Sequence, residues 1–231
     1  MDYVYVCRDG DNEELRYSIR SIEKNMPEGN IWVIGGKPDW YTGNFVHVEQ
    51  TKKSYANVRE QLRVACATEK ISDDFVLMND DFFVINPVKE IPTWYTGTLV
   101  DRIRSLQQIK SQNAGYLRLL ILSNNVIRRT GIADPLDYEL HTPMIMNKEK
   151  LLPILHSTAL WRSHYGNRYS IGGTKHSDVK VHSKDVLEDR AKNLIDITKE
   201  PYISGSDYNF EFLKDIILGE MFSEPSSCEC L

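Results

Sequence analysis

The sequence predicts one α/β domain with a mostly parallel sheet flanked by helices, and three observations lead there. Apolar runs and helical periodicity alternate over the first ninety residues in the order β-α-β-β-α-β, which favours a parallel sheet with its ligands at the carboxyl ends of the strands. The run Ile31–Ile34 is apolar without interruption, as expected of a strand covered on both faces. A length of 231 residues, 41% hydrophobic and 26% charged, buries a core without disulfide staples.

Each element has its own signal. Tyr3–Cys7 is rich in β-prone side chains and stops at Arg8-Asp9-Gly10. Asp11 with Glu14 forms an acidic capping box, after which Leu15, Ile19 and Ile22 recur on one helical face until Pro27. Ile31–Ile34 exits through Gly35-Gly36-Lys37-Pro38, and Phe45–Val48 is a shorter third strand. Val58, Leu62 and Ala65 mark a helix across Tyr55–Glu69, followed by the strand Phe75–Met78. Thr98–Ile109 and Tyr116–Arg129 read as an inserted helical pair, and Tyr138–Met146 as extended. Lys148–Leu155 reads as a helix and Ser177–Val181 as a strand, Arg162, His164, Tyr165, Gly166 and Asn167 form a polar-aromatic cluster for which an ordinary loop is the alternative, and a last helix capped by Ser206 or Asp207 runs to Phe222. The expected organisation is one domain over 1–231. A first half covers about 1–90, a helical insertion about 95–131 and a second half about 135–222.

Charge excludes some partners. With 28 Lys and Arg against 33 Asp and Glu, the net charge of −5 gives no general attraction to nucleic acid or anionic lipid. No apolar run approaches the ~20 residues of a membrane helix, and the opening Met-Asp-Tyr-Val lacks a signal-peptide core, so a cytoplasmic protein is expected. Cys7, Cys66, Cys228 and Cys230 have neither zinc-site nor disulfide-framework spacing.

The sharpest motif is Asn79-Asp80-Asp81-Phe82-Phe83, directly after the strand Phe75–Met78. Two adjacent carboxylates at a strand end are costly to bury without a cation, and oxygen ligands suit Mg²⁺ or Mn²⁺ shared with nucleotide phosphates. A plain Asx turn is the alternative. Arg8 ends the first strand, and Arg16 and Arg20 lie four apart on the following helix, where guanidinium forks suit phosphate or carboxylate. Lys37 in the Gly-Gly-Lys-Pro loop adds a point charge. In Glu139-Leu140-His141, alternation would put Glu139 and His141 on one side, as base and orienter or with His141 as a metal ligand; a satisfied structural histidine is the alternative. Tyr165, Asn167 and Asp178 lie in further polar stretches that suit donor or acceptor contacts.

The stretch Asp11–Ile22, then Pro38-Asp39-Trp40, then Phe75–Phe83 resembles the second conserved region of the Stealth sugar-phosphotransferases, and Glu139-Leu140-His141-Thr142-Pro143 is similar to the histidine-proline element of that family. The chain is more similar still to a group of phage-encoded glycosyltransferases. These share the Gly-Gly-Lys-Pro-Asp-Trp loop, the Tyr-Glu-Leu-His-x-Pro-Met element and a later Tyr-Gly-Asn followed by Asp-Val-Lys. The resemblance implies a GT-A-like fold that holds a nucleotide-sugar through a divalent cation on Asp80 and Asp81. Asn79, Arg8, Asn12, Arg16, Lys37, Tyr165 and Asn167 become donor-side candidates, and His141, Glu139 and Asp178 candidates for the base. The implied reaction is glycosyl transfer from a UDP-sugar to a hydroxyl of a protein, glycan or modified nucleic acid. The opening Val4–Gly10 departs from Stealth by running straight into the Glu-Leu-Arg-Tyr motif, which disfavours sugar-1-phosphate transfer. A non-catalytic nucleotide- or glycan-binding module is the reading from another class.

Overall fold

The computed structural model describes residues 1–51, 54–108, 114–181 and 199–230. They divide into two compact units: Met1–Ile91 with His141–Met146 and Val179–Leu231, and Pro92–Leu140 with Asn147–Asp178.

The first unit opens with β1 (Asp2–Cys7), α1 (Glu13–Asn25), β2 (Ile31–Gly35), β3 (Asn44–His47), α2 (Ser54–Ala67) and β4 (Asp74–Met78), the order the sequence predicts. The sheet runs β3-β2-β1-β4-β7, with β7 at Met144–Asn147. Its β1–β2, β2–β3 and β1–β4 pairs are parallel, with Cys7 opposite Gly35 and Tyr5 opposite Met78, so Arg8, Gly36 and Asp80 emerge on one rim. Val4, Tyr5, Val33, Ile34 and Val76 are wholly buried, as central parallel strands require. The β1 end is fixed by its own chain: the Cys7 carbonyl accepts from Gly36 N at 3.0 Å, Gln50 Nε2 at 3.0 Å and Gln61 Nε2 at 2.9 Å. The glycines after β2 serve this approach, because a Cβ on Gly36 would strike the Arg8 carbonyl.

The first helix starts one residue later than the expected cap. Asn12, not Asp11, is the N-cap, and its Oδ1 accepts from Leu15 N at 3.0 Å. Glu14 is consequently not a capping-box partner but lies buried. The inward face of α1 also carries Ser18, Ser21 and Asn25, all buried. They serve β5 (Phe82–Val84), a strand the sequence reading missed: Ser18 donates to the Phe82 carbonyl, Ser21 Oγ accepts from Val84 N at 2.9 Å and Asn25 donates to the Val84 carbonyl at 2.6 Å. On its other edge β5 pairs antiparallel with β9 (Tyr202–Ser204), Phe82 opposite Ser204.

Behind β5 lies a core of Tyr17, Phe83, Ile203, Phe210, Leu213, Leu218 and Phe222. It is closed by α7 (Phe210–Leu213), a π-helical segment Lys214–Leu218 and α8 (Gly219–Met221). The expected caps Ser206 and Asp207 lie in the preceding turn, and Asn209 is the capping residue. The tail then crosses α1: the Glu229 carboxylate accepts from Arg20 Nε at 2.7 Å and Nη2 at 2.6 Å, and Cys230 N donates to the Trp40 carbonyl at 2.9 Å.

The second unit holds β6 (Trp94–Tyr95), α3 (Leu99–Gln108), α4 (Ala114–Arg128), α5 (Lys148–Ile154), α6 (Trp161–Arg168) and β8 (Thr174–Lys175). The expected pair 98–109 and 116–129 corresponds to α3 and α4, with Ile109 outside the described residues. Leu99, Leu120, Ile127 and Leu160 form their shared core. Arg162–Asn167 is helix rather than loop. One expectation is corrected here: residues 138–143 carry no strand, the ladder beginning only at Met144. In the first unit the expected strand 177–181 reduces to one bridge, Lys180 with Ser204.

Candidate active site at the carboxyl end of the sheet

Four carboxylates of the first unit share one electrostatic neighbourhood. Asp80 and Asp81 leave β4 in a tight turn in which Phe82 N donates to the Asn79 carbonyl at 3.3 Å. Asp80 Oδ2 accepts from Asn12 Nδ2 at 2.7 Å, so Asn12 caps α1 with one end of its amide and holds the carboxylate with the other. Asp81, 9% exposed, accepts on Oδ2 from Lys180 Nζ at 2.9 Å and from Ser204 Oγ at 3.2 Å. Its carbonyl accepts from Gly205 N at 3.1 Å, which ties β4's exit to β9.

Glu14 and Asp207 complete the group. Glu14 is 6% exposed, and its Oε1 has no hydrogen-bond partner among the described residues. Burial, then the charges of Asp80, Asp207 and Asp81, push its carboxyl up to about 8. Burial and the neighbouring Asp81 likewise raise Asp80. Asp207 lies below the usual carboxylate range because Arg8 bonds it through both prongs, Nη1 to Oδ2 at 2.9 Å and Nη2 to Oδ1 at 2.8 Å.

Among the described residues, two cations, Arg8 and Lys180, thus bond into a group of four carboxylates. Among the described residues no three His, Cys, Asp or Glu side chains converge at metal-ligand spacing. The residues present nonetheless fit a divalent cation. Among the described residues the side-chain bonds on Asp80 and Asp81 fall on Oδ2, and Glu14 keeps a buried oxygen without a hydrogen-bond partner. Mg²⁺ or Mn²⁺ takes one or two protein carboxylates and completes its shell with water and phosphate oxygens, the share this pair supplies.

The other candidates are held as follows. Arg16 pairs with Glu13 at 3.1 Å and lies 4.8 Å over the Trp40 ring. Lys37 Nζ donates to the Tyr41 carbonyl at 3.1 Å. His141 packs edge-on against Phe82 at 6.3 Å. In the second unit, half-buried Glu139 accepts from Ser163 N at 2.8 Å, Tyr165 Oη accepts from Asn147 N at 3.0 Å, and Asn167 bonds the Leu136 backbone through both ends of its amide. Asp178 is half-buried at the edge of that unit. Sequence reasoning missed the roles of Lys180, Asp207 and Glu14. Lys180 had a signal in the Asp-Val-Lys stretch, whereas Glu14 read as a cap and Asp207 as a helix start.

No protein-family model and no curated protein matches the chain. Among solved structures it is similar to the apo form of WbbM, a bifunctional glycosyltransferase, at 11% identity and a TM-score of 0.52. The match covers 97% of this chain and 50% of that one, so the chain spans half the length of WbbM. It is also similar to an active-site mutant of LgtC, at 12% identity and a TM-score of 0.41 over 82% of each chain. A third likeness is to the apo glycosyltransferase GlyE of Streptococcus pneumoniae TIGR4, at 10% identity and 0.44 over 99% and 65%. The likeness to WbbM defines the class by fold: a GT-A-like α/β architecture with a mostly parallel central sheet flanked by helices. Among the described residues no helix is long and apolar enough to cross a membrane.

Proposed function

We propose that the chain is a metal-dependent glycosyltransferase that moves a sugar from a nucleotide-sugar, a UDP-sugar in our reading, to an acceptor hydroxyl. The observation that carries this is the pair Asp80 and Asp81 at the carboxyl end of β4, in a rim whose carboxylates outnumber its cations among the described residues and in a fold like that of WbbM. Asp80 and Asp81 would hold Mg²⁺ or Mn²⁺, with Asn79 in the turn beneath them. The cation supplies electrostatic neutralisation of the diphosphate leaving group. Asn12 fixes Asp80, and Lys180 with Ser204 fixes Asp81, so both carboxylates are oriented before a ligand arrives.

In the reaction the acceptor oxygen bonds to the anomeric carbon, the bond from that carbon to the diphosphate breaks, nucleoside diphosphate leaves and the hydroxyl proton passes to a base. His141 is the base we favour over Glu139 and Asp178, because it shares a unit with Asp80 and Asp81 while the Glu139 carboxylate is committed to Ser163 N. Arg8, Arg16 and Lys37 serve the donor side, while Tyr165 and Asn167, the donor-side candidates of the second unit, bond Asn147 N and the Leu136 backbone. The acceptor is a protein, a glycan or a modified nucleic acid, and the setting is a host cytoplasm if the resemblance to phage enzymes holds.

The test is donor turnover with a panel of nucleotide-sugars. D80N and D81N each abolish it, and a chelator abolishes it in the wild type; turnover indifferent to chelator removes the metal from the proposal. The Asn79-Asp80-Asp81-Phe82-Phe83 motif favours one second reading, Stealth-type transfer of sugar-1-phosphate. That reaction releases nucleoside monophosphate where glycosyl transfer releases diphosphate.

A further inference from the structure

Arg8 and Asp207 are separated by 199 positions and meet at the rim beside Asp80. Both prongs of the guanidinium are taken by both oxygens of the carboxylate, the planar geometry in which arginine also grips a phosphate. The pair is open to water, with side chains 57% and 67% exposed, so it is readily exchanged for another anion. It is also out of step with its surroundings. Asp207 adds a carboxylate to the neighbourhood of Glu14, Asp80 and Asp81, where the Glu14 carboxyl and its own backbone N–H also bond it, while the turn itself is closed by Asn209 Oδ1 accepting from Ser206 N at 2.8 Å.

We propose that Asp207 is an internal stand-in for the donor's phosphate: it holds the Arg8 fork in place before the donor binds and is displaced when a nucleoside diphosphate takes the same two donors. This rests on the rim being the donor site. Its consequence runs against intuition, because removing an acidic side chain from the rim improves donor binding by freeing Arg8 and lifting a like charge from the incoming diphosphate. An Asp207 that served the cation instead would give the reverse.

Calorimetric titration with uridine diphosphate, once with Mn²⁺ and once with a chelator, separates these outcomes. D207N keeps a good turn former at the position, so its fold is preserved. It should bind uridine diphosphate about two- to five-fold more tightly than the wild type, the range of one exposed ion pair. The gain appears with and without Mn²⁺ and grows at low ionic strength. In the R8Q background the gain shrinks to what lifting a like charge gives, and an undiminished gain there overturns the stand-in. Unchanged or weaker binding by D207N, while the wild type binds, overturns the stand-in and leaves the donor site intact. Failure of the wild type to bind uridine diphosphate under either condition overturns the donor-site reading and the stand-in with it.

Discussion

Replacing Glu139 by Gln tests the electrostatics of the second unit. Burial and the nearby Asp137 charge push the Glu139 carboxyl up to about 7 from an ordinary 4.5, against the opposing effects of the Ser163 N–H and Arg162. Between those two pH values the folded protein keeps a proton that the unfolded chain has released. Stability therefore falls as pH rises through that window and levels off above it. The full effect is about 3 kcal/mol by pH 8. Gln keeps an acceptor for Ser163 N and cannot ionise, so E139Q should match the wild type near pH 4 and exceed it by about 3 kcal/mol at pH 8. In urea titrations this moves the midpoint by about 1 M or more at pH 8 and hardly at all at pH 4. Hydrogen exchange at the amides of α6 locates the gain in this unit. Parallel pH profiles for the two proteins, or a variant weaker at pH 8, would refute the reasoning. Turnover by E139Q carries a second message: retained activity removes Glu139 from the candidate bases.

Three further outcomes follow from the packing. E229A leaves Arg20, 11% exposed, without its bidentate partner and should cost about 3 kcal/mol in urea, whereas E60A, which breaks the exposed Arg63 pair, should cost under about 1 kcal/mol. G35A asks a side chain to adopt φ of +117° with its Cβ on the Cys7 carbonyl and the Gln61 amide, so it should lose more than about 2 kcal/mol and give little soluble protein on expression. K180M strips Asp81 of its ammonium, so the rise in melting temperature on adding Mn²⁺ should be larger for this variant than for the wild type, and an equal rise would separate Lys180 from the cation site.

The legible part of the fold was the part written locally. Ile31–Ile34 and Phe75–Met78 announce themselves by composition, and the turns beside them place Arg8 and Asp80 at one end of the sheet before any coordinates are known. What was illegible depends on distant partners. Nothing in Phe82-Phe83-Val84 marks a strand until Tyr202–Ser204 and the hydroxyls of α1 are brought to its two edges. Lys180 lies 99 positions from Asp81, and Asp207 lies 199 from Arg8, so their pairing has no local trace. Local reasoning also misjudged neighbours. Asp11 and Asn12 are both good caps, and Asn12 is used because its amide also has a donor for Asp80, which a carboxylate lacks. The argument that put Glu139 beside His141 assumed a strand; without a ladder over 138–143, alternation has no meaning there.

The tail that crosses α1 bears on the order in which the molecule assembles. Strands β1 to β4 are complete by Met78 and can collapse early, but the outer face of α1 waits for Glu229, 209 positions after Arg20. Until then Arg20 lacks its bidentate partner, whereas Arg16 already has Glu13 on its own helix. Closure of the clasp is thus a long-range event that joins the Arg20–Glu229 charge pair to the backbone bonds from Thr42 N to the Cys228 carbonyl and from Cys230 N to the Trp40 carbonyl. Added salt should slow this last step of refolding while leaving the formation of the sheet almost unaffected.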